Sequence, residues 1–347
     1  MMRRVAAGII GFLACVGCSD SDPRRPLVVY SPHGEDILRD FEQRFEAAHA
    51  DVDVQWFNMA PQDCYTRIRG ERERPSCDVW WGGPAPTMAL AADDGLLEPY
   101  APSCVDAIPP QYRDPQNRYV GQFLLPQVIV RNRDRLDPKD APVDWDDLAS
   151  PAWKGRVILR FPLPSGGMRT AFCALIDWKS AGSGDPAAGF AMLTALHRNT
   201  KRYATDPTEL FEAITKDDAN VVSIWNLTDV LFQHARYGYP LGFVMPKSGA
   251  PVLVDGIALV RRVDQDPRRA ELAKAFVEMV SSLDALDLLM TGHFRIPTRT
   301  DVPRERMPQW LRELEITPLP YDAARAASRE REWMTHWEQA IKPLARE

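Results

Sequence analysis

The sequence predicts an α/β fold built on mostly parallel sheets flanked by helices. Three observations carry this reading. Near the N-terminus, strand-like and helix-like stretches alternate three times in succession. The first strand-like stretch, Leu27-Val28-Val29-Tyr30, is a compact apolar run of the kind a strand buried on both faces shows. The 347 residues, 45% hydrophobic and 26% charged, are enough for about two domains with real cores.

The elements follow in order. Ser31-Pro32-His33-Gly34 breaks the first strand. Ile37, Leu38, Phe41, Phe45 and Ala48 recur at helical spacing, so 35–48 is a helix. Val52-Asp53-Val54-Gln55-Trp56 alternates as a strand does. A helix over 61–70 ends at Gly70. Cys77-Asp78-Val79-Trp80-Trp81 is a third strand, stopped by Gly82-Gly83-Pro84, and a helix over 87–94 follows. Such a run implies an open parallel sheet with helices on both faces. Ligands of such sheets sit beyond the carboxyl ends of the strands, here at 31–34 and 82–84.

The middle of the chain starts again. Strands are expected at 123–130, 155–159, 220–225 and 252–260. Helices are expected at 145–148, 168–177, 187–196, 207–215 and 267–281. The loop Pro162-Leu163-Pro164-Ser165-Gly166-Gly167 opens the 168–177 helix.

Charge and composition exclude several classes. Lys+Arg is 42 and Asp+Glu is 48, a formal net charge of −6, which disfavours nucleic-acid binding. No apolar run approaches the roughly 18 residues that span a bilayer. The six cysteines form no zinc spacing, and no GxSxG, HExxH or SxxK motif marks an enzyme. No cofactor is called for.

The first residues read as a leader. Arg3 and Arg4 precede a short apolar run over 5–16 that ends at Cys15-Val16-Gly17-Cys18. This resembles the bacterial lipobox, with Cys15 where leucine is usual. The resemblance implies a signal peptide over 1–17, a lipid on the Cys18 thiol, and an extracytoplasmic, membrane-anchored lipoprotein. Losing Arg3 and Arg4 takes the net charge from −6 to −8. Residues 18–26 are polar and read as a tether.

Several phrases, in order, carry a family resemblance. They are Val28-Val29-Tyr30-Ser31-Pro32-His33-Gly34, Cys77-Asp78-Val79-Trp80-Trp81-Gly82-Gly83 and Ser150-Pro151-Ala152-Trp153-Lys154-Gly155-Arg156-Val157. Ser165-Gly166-Gly167, Asp255-Gly256-Ile257-Ala258-Leu259-Val260 and Phe294-Arg295-Ile296-Pro297-Thr298-Arg299 follow. The set resembles the extracellular solute-binding proteins of ABC importers, in the branch that includes the ferric-iron binders. The resemblance implies the type II periplasmic-binding-protein architecture: two α/β lobes joined by two crossover strands that act as a hinge. Lobe 1 would be 27–121 plus 254–347 and lobe 2 would be 122–253. A small solute would be caught in the cleft by hinge closure and delivered to an ABC permease, with no reaction performed. A monomer is expected.

Candidate ligand residues sit at strand ends. Ser165, Gly166 and Gly167 open a helix, where free N–H groups and the helix dipole favour an anion; Ser165 also suits a helix cap. Ser31, His33 and Gly34 form the matching turn in lobe 1, with Gly82 and Gly83 beside them. Trp81 would offer an apolar or cation–π wall. Asn226 ends another strand, where a turn role competes with ligand contact. Arg160 and Arg169 flank the Ser165 loop and suit an anionic ligand. Asp255 needs a partner if buried.

The ferric branch places a histidine, a glutamate and an adjacent tyrosine pair at the metal. Here His33 is present and remains a possible metal ligand. Gly82-Gly83 stands where the glutamate would be, and Asn226-Leu227-Thr228 where the tyrosines would be. Ferric ion needs anionic oxygen ligands. The expectation is therefore an organic or anionic solute, phosphate- or phosphonate-like. The alternatives are a ferric-iron binder with altered ligands, or a ligand-sensing lipoprotein for a membrane kinase. Of Cys64, Cys77, Cys104 and Cys173, at most one pair is expected, within lobe 1.

Overall fold

Parallel strands joined by helices build the N-terminal part of the computed structural model, which describes residues 24–181, 183–216, 221–263 and 266–344. The leader and Cys18 lie outside the described residues. β1 (Arg25–Ser31) starts within the expected tether and runs parallel between β2 (Val52–Asn58) and β3 (Val79–Pro84). α1 (Glu35–Ala48), α2 (Pro61–Gly70) and α3 (Ala85–Asp93) make the connections. α1 buries Ile37, Leu38, Phe41 and Phe45, the spacing that predicts it. β4 (Leu97–Glu98) is a short edge.

β5 (Val120–Asn132) then passes from one lobe to the other. The second lobe contains α4 (Trp145–Ala149), β6 (Val157–Arg160), α5 (Gly166–Lys179), α6 (Ala187–Asn199) and β7 (Thr200–Ala204). α7 (Pro207–Lys216), β8 (Val222–Asn226), α8 (Leu227–Tyr237) and β9 (Leu241–Val244) complete it. β10 (Val252–Val260) returns antiparallel to β5, and α9 (Pro267–Ser281), α10 (Leu283–Gly292), β11 (Ile296–Pro297) and α11 (Gln309–Arg312) follow. The strand order is β2-β1-β3-β10-β5-β8-β6-β7. β10 carries register shifts at Asp255–Gly256 against β5 and at Gly256–Ile257 against β3. Such irregularities bend a strand where it changes partner.

Each lobe has helices on both faces. In lobe 1, Trp81 belongs to the core under α1, α9 and α10, and Trp80 to the core under α2 and α3. In lobe 2, α5 and α6 cover one face of the sheet and α7 and α8 the other.

One boundary differs from expectation. The last helix, α12 (Ala323–His336), was assigned with lobe 1 through the range 254–347, but it packs on lobe 2. Trp333, Met334, Trp337 and Ile341 join Phe172 and Leu193 in one core. The chain crosses a third time beside Ala250, which bridges Pro318 and accepts from the Leu319 amide at 2.9 Å. That crossing carries the apolar face of α12 onto α5.

Candidate functional site

The turn after β1 forms one wall. The His33 amide donates to Ser31 Oγ at 3.1 Å, and His33 Nε2 is 2.8 Å from Asp255 Oδ2. The imidazole stands edge-on to Trp81 at 4.8 Å and tilts toward Phe123 at 6.0 Å. Gly82 takes φ +97°, and a Cβ there would lie 2.8 Å from His33 Nε2. A side chain at 82 would thus be both strained and displaced by the ring. Asp255 finds its partner in His33, so the buried carboxylate is answered from within the protein. Among the described residues His33 Nδ1 is buried without a partner.

Two expectations on this wall fail. Trp81 is not a ligand wall; it is fully buried, packs on Phe41 and Phe276, and donates through Nε1 to Gln122 Oε1 at 2.6 Å. Gly83 faces inward, since a Cβ there would meet the Trp80 ring at 2.7 Å. Both follow from strand alternation at a sheet covered on both faces: neither side is free. Gly34 is exposed and starts α1 with no cap or neighbour at its Cα.

The second wall is the start of α5. Ser165 caps it, accepting from the Met168 amide at 3.3 Å. The Gly166 and Gly167 amides fall in the first turn, where no helical carbonyl precedes them. A Cβ on Gly166 would lie 2.5 Å from Pro84 Cγ and 3.4 Å from Pro61 Cγ. Those prolines belong to lobe 1, so the two lobes meet at this glycine. A Cβ on Gly167 would lie 3.3 Å from Gln127 Oε1. Gln127 is opposite Asn226 in the β5–β8 pairing. Its Nε2 donates to the Leu125 carbonyl at 3.0 Å, which leaves Oε1 buried with no donor among the described residues.

The two arginines beside this turn separate. Arg169 is not available to a ligand: Nε donates to Glu330 Oε1 at 2.7 Å and Nη1 to the Leu163 carbonyl at 3.0 Å. It ties α5 to α12. Arg160, at the end of β6, is buried and donates to the Ala204 carbonyl at 3.1 Å. Burial lowers its pKa.

Asn226 is committed as well. Its Oδ1 accepts from the Asp229 amide and the Thr228 hydroxyl, both at 2.8 Å, and its Nδ2 donates to Asp229 Oδ2 at 2.8 Å. It is the cap of α8 rather than a free ligand amide. Arg295, from lobe 1, donates through Nη1 to Thr228 Oγ1 at 2.8 Å and Asp229 Oδ1 at 2.9 Å. Burial pushes the Asp229 carboxyl up, but Arg295, Asn226 and Trp225 outweigh it and hold its pKa below the usual range. Farther along α8, Phe232 stacks on His293 at 5.6 Å and the Tyr237 hydroxyl donates to Asp36 Oδ2 at 2.6 Å. One stripe of α8 thus lies against lobe 1.

The site therefore gathers Ser165, Gly166, Gly167 and Gln127 on one side, and His33, Gly82 and Asp255 on the other, with Arg160 at the end of β6 turned to the Ala204 carbonyl. Gln127, Asp229 and Arg295 were not anticipated as contributors. Gln127 carries a signal: it is a polar residue inside the apolar run Leu124-Leu125-Pro126-Gln127-Val128-Ile129. Among the described residues no group of three His, Cys, Asp or Glu could hold a metal ion. Cys64, Cys77, Cys104 and Cys173 are buried and unbridged, and burial pushes every one of these thiols up. A separate groove of about 750 Å³ lies at the opposite end of the lobe 1 strands, where Asp78 is held by Arg262 and Arg269. It lies away from the carboxyl ends of the strands.

Comparison with known proteins agrees with this fold. A family model described as "Bacterial extracellular solute-binding protein" matches residues 84–313. A probable ABC transporter periplasmic-binding protein of Sinorhizobium fredii is 26% identical over 271 residues, covering 78% of this chain and 74% of that one. The periplasmic binding protein AfuA of Actinobacillus pleuropneumoniae, solved with exogenous fructose-6-phosphate bound, superposes with a TM-score of 0.76 at 22% identity, covering 93% of this chain and 100% of that chain. A ferric binding protein of Campylobacter jejuni gives 0.75 at 16% identity, covering 90% and 98%. At those identities the two structures speak for the fold alone.

Proposed function

Because this chain belongs to the family of bacterial extracellular solute-binding proteins, we propose that it is the receptor of an ABC importer for an organic anion bearing a phosphate or phosphonate group. The solute is held between the lobes, at the first turn of α5, and is handed to a membrane permease. Hinge motion about β5 and β10 admits and releases it. The receptor is a monomer, anchored outside the cytoplasm through lipid on Cys18; the sequence of the leader supports this.

One observation carries the reading. The donor-rich turn Ser165-Gly166-Gly167 lies where lobe 2 meets Pro84 and Pro61 of lobe 1. A helix N-terminus attracts anions, and this one is placed so that closure covers it. The ferric alternative is less well supported. The position of a tyrosine pair holds the α8 cap Asn226-Leu227-Thr228, and His33 is turned to Asp255.

A thermal-shift screen tests the proposal. The probes are glucose 6-phosphate, glycerol 3-phosphate, 2-aminoethylphosphonate, inorganic phosphate and ferric citrate. An organic phosphate or phosphonate at 100 times its Kd stabilises the protein by about 2.7 kcal/mol. Stabilisation by ferric citrate alone, with a visible phenolate or carboxylate charge-transfer band, overturns it.

A further inference from the structure

A buried side-chain oxygen that accepts no hydrogen bond is costly, and in a native protein it calls for an explanation. Gln127 presents such an oxygen. It is 1% exposed on β5, the strand that passes between the lobes, and among the described residues its Oε1 has no donor. Reversing the amide does not cure this. Nε2 donates to the Leu125 carbonyl at 3.0 Å, so a reversed amide would set Oε1 against that carbonyl, acceptor facing acceptor. The polar neighbours are turned elsewhere. Asn226, opposite Gln127 in the ladder, directs its Nδ2 to Asp229, and the Arg160 guanidinium donates to the Ala204 carbonyl. What Oε1 faces is the first turn of α5: a Cβ on Gly167 would lie 3.3 Å from it. The turn whose amides have no helical carbonyl before them is thus also the place where one fixed acceptor waits.

Donors and a fixed acceptor in one place ask for an anion that still carries a proton. The amides and the positive helix end suit its charged oxygens, and the acceptor suits an O–H. Charge points the same way. A helix N-terminus presents about half a positive charge, which is closer to one negative charge than to two. We propose, resting on the reading that the cleft holds a phosphate or phosphonate solute, that Gln127 selects the singly protonated form of that group by accepting its P–O–H proton at Oε1. Sulfate esters and sulfonates share the tetrahedral shape and the single charge but have no such proton near neutral pH. A sulfur-bound oxygen against Oε1 would put two acceptors in contact and leave Gln127 unserved. The receptor therefore takes phosphorus compounds and rejects their sulfur counterparts.

Matched probe pairs test this by calorimetry on the purified protein. One pair is glucose 6-phosphate and glucose 6-sulfate; the other is 2-aminoethylphosphonate and taurine. Near pH 6 the wild type binds the phosphorus member of at least one pair about 100-fold more tightly than the sulfur member. Gln127→Met, close in volume but without an acceptor, brings that ratio to within about threefold. A second measurement needs no variant and decides the matter if the Met variant does not fold. A phosphate monoester loses its last proton near pH 6, so the wild-type ratio for the glucose pair falls about tenfold per pH unit from pH 6.5 to 8. The protein's own charged groups around the turn act alike on two bound monoanions and drop out of the ratio. These are His33 and Asp255 on the facing wall, Asp63 two residues past Pro61, and Arg160, Arg169 and Asp229 in lobe 2. Equal wild-type binding of both members, a ratio that stays constant with pH, or a folded Gln127→Met with the wild-type ratio overturns the role of Gln127 and leaves the phosphate-or-phosphonate reading standing. Failure of the wild type to bind either phosphorus probe overturns that reading, and the role of Gln127 with it.

Discussion

The turns Ser31-Pro32-His33-Gly34 and Ser165-Gly166-Gly167 end strands in the two lobes and look alike as sequence, but their groups are committed differently. In lobe 1 the turn is closed on itself: His33 reaches Asp255, leans on Trp81, and occupies the space above Gly82. In lobe 2 the serine caps its helix, and the amides of Gly166 and Gly167 open the first turn with no helical carbonyl before them. The difference teaches how a cleft receptor divides labour. One wall is a rigid surface, buttressed by core aromatics. On the proposed reading, the other supplies the helix-end field that meets the solute. Most side chains that sequence marks as ligands are structural on both walls, Trp81 in one core and Arg169 and Asn226 in the ties of the other, and what the second wall offers is backbone amides.

The largest effect tests the rigid wall. Trp81→Ala removes a fully buried indole packed on Phe41, Phe276 and His33. The expected cost is about 3–5 kcal/mol in urea unfolding. Glucose 6-phosphate affinity, measured on the folded fraction, changes by less than about threefold, because the indole does not reach the cleft. If stability held and affinity collapsed instead, Trp81 would be a ligand wall after all and the division of labour would be wrong.

A smaller effect tests where the walls meet. Gly166→Ala places a methyl 2.5 Å from Pro84 Cγ. Overpacking of this kind costs about 1–3 kcal/mol where the lobes touch. If hinge closure is what brings Gly166 to Pro84, binding of glucose 6-phosphate weakens by that amount while unfolding of the ligand-free protein changes less. Pro84→Ala in the same chain restores much of the loss, and a double-mutant cycle measures the coupling directly. Equal loss in the single and double variants would mean that closure does not bring these two residues together.

Much of this arrangement is legible in the sequence, for identifiable reasons. Residues 27–30 read as a buried strand because they lack alternation, and β1 is buried there on both faces. Ser165 reads as a cap because the serine oxygen stands three residues before the amide it serves. The roles of Arg160 and Arg169 do not read, because nothing local distinguishes them: the partner of Arg169 is Glu330, 161 residues away. Asn226 misleads for a similar reason. Capping and ligand binding ask for the same short polar side chain at a strand end, and only Asp229 and Arg295 decide between them. Helix α12 escapes because its sequence, Ala-Ala-Arg-Ala-Ala-Ser-Arg-Glu-Arg-Glu-Trp-Met, is mostly charged or small. Its docking surface on lobe 2 comes from a distant part of the chain.

The smallest effect tests what keeps the two walls in register, the α8 seam, through its pH dependence. Two groups there titrate in separate windows. Burial lowers the pKa of His293, with Asp40 opposing and Arg295 assisting. A histidine held neutral in the folded state binds a proton more readily when unfolded, so stability falls as pH drops below its unfolded value, about 6.5. Asp229 is the opposite ionic type with the same outcome. Its carboxyl is held below the ordinary range, so its stabilisation is complete above about pH 4 and is lost as pH falls through the depressed folded value. Unfolding measured from pH 7 to pH 3 therefore shows two steps of decline. His293→Gln removes the upper step and leaves the lower one. Asp229→Asn shrinks the lower step, to which Asp114, Glu278 and Asp301, also held low, contribute as well; it keeps the Asn226 cap contact to the backbone and leaves Arg295 without its carboxylate. If Asp229→Asn instead left the acid limb unchanged, the Arg295–Asp229 contact would be a feature of one arrangement of the lobes rather than a joint that stabilises the folded receptor.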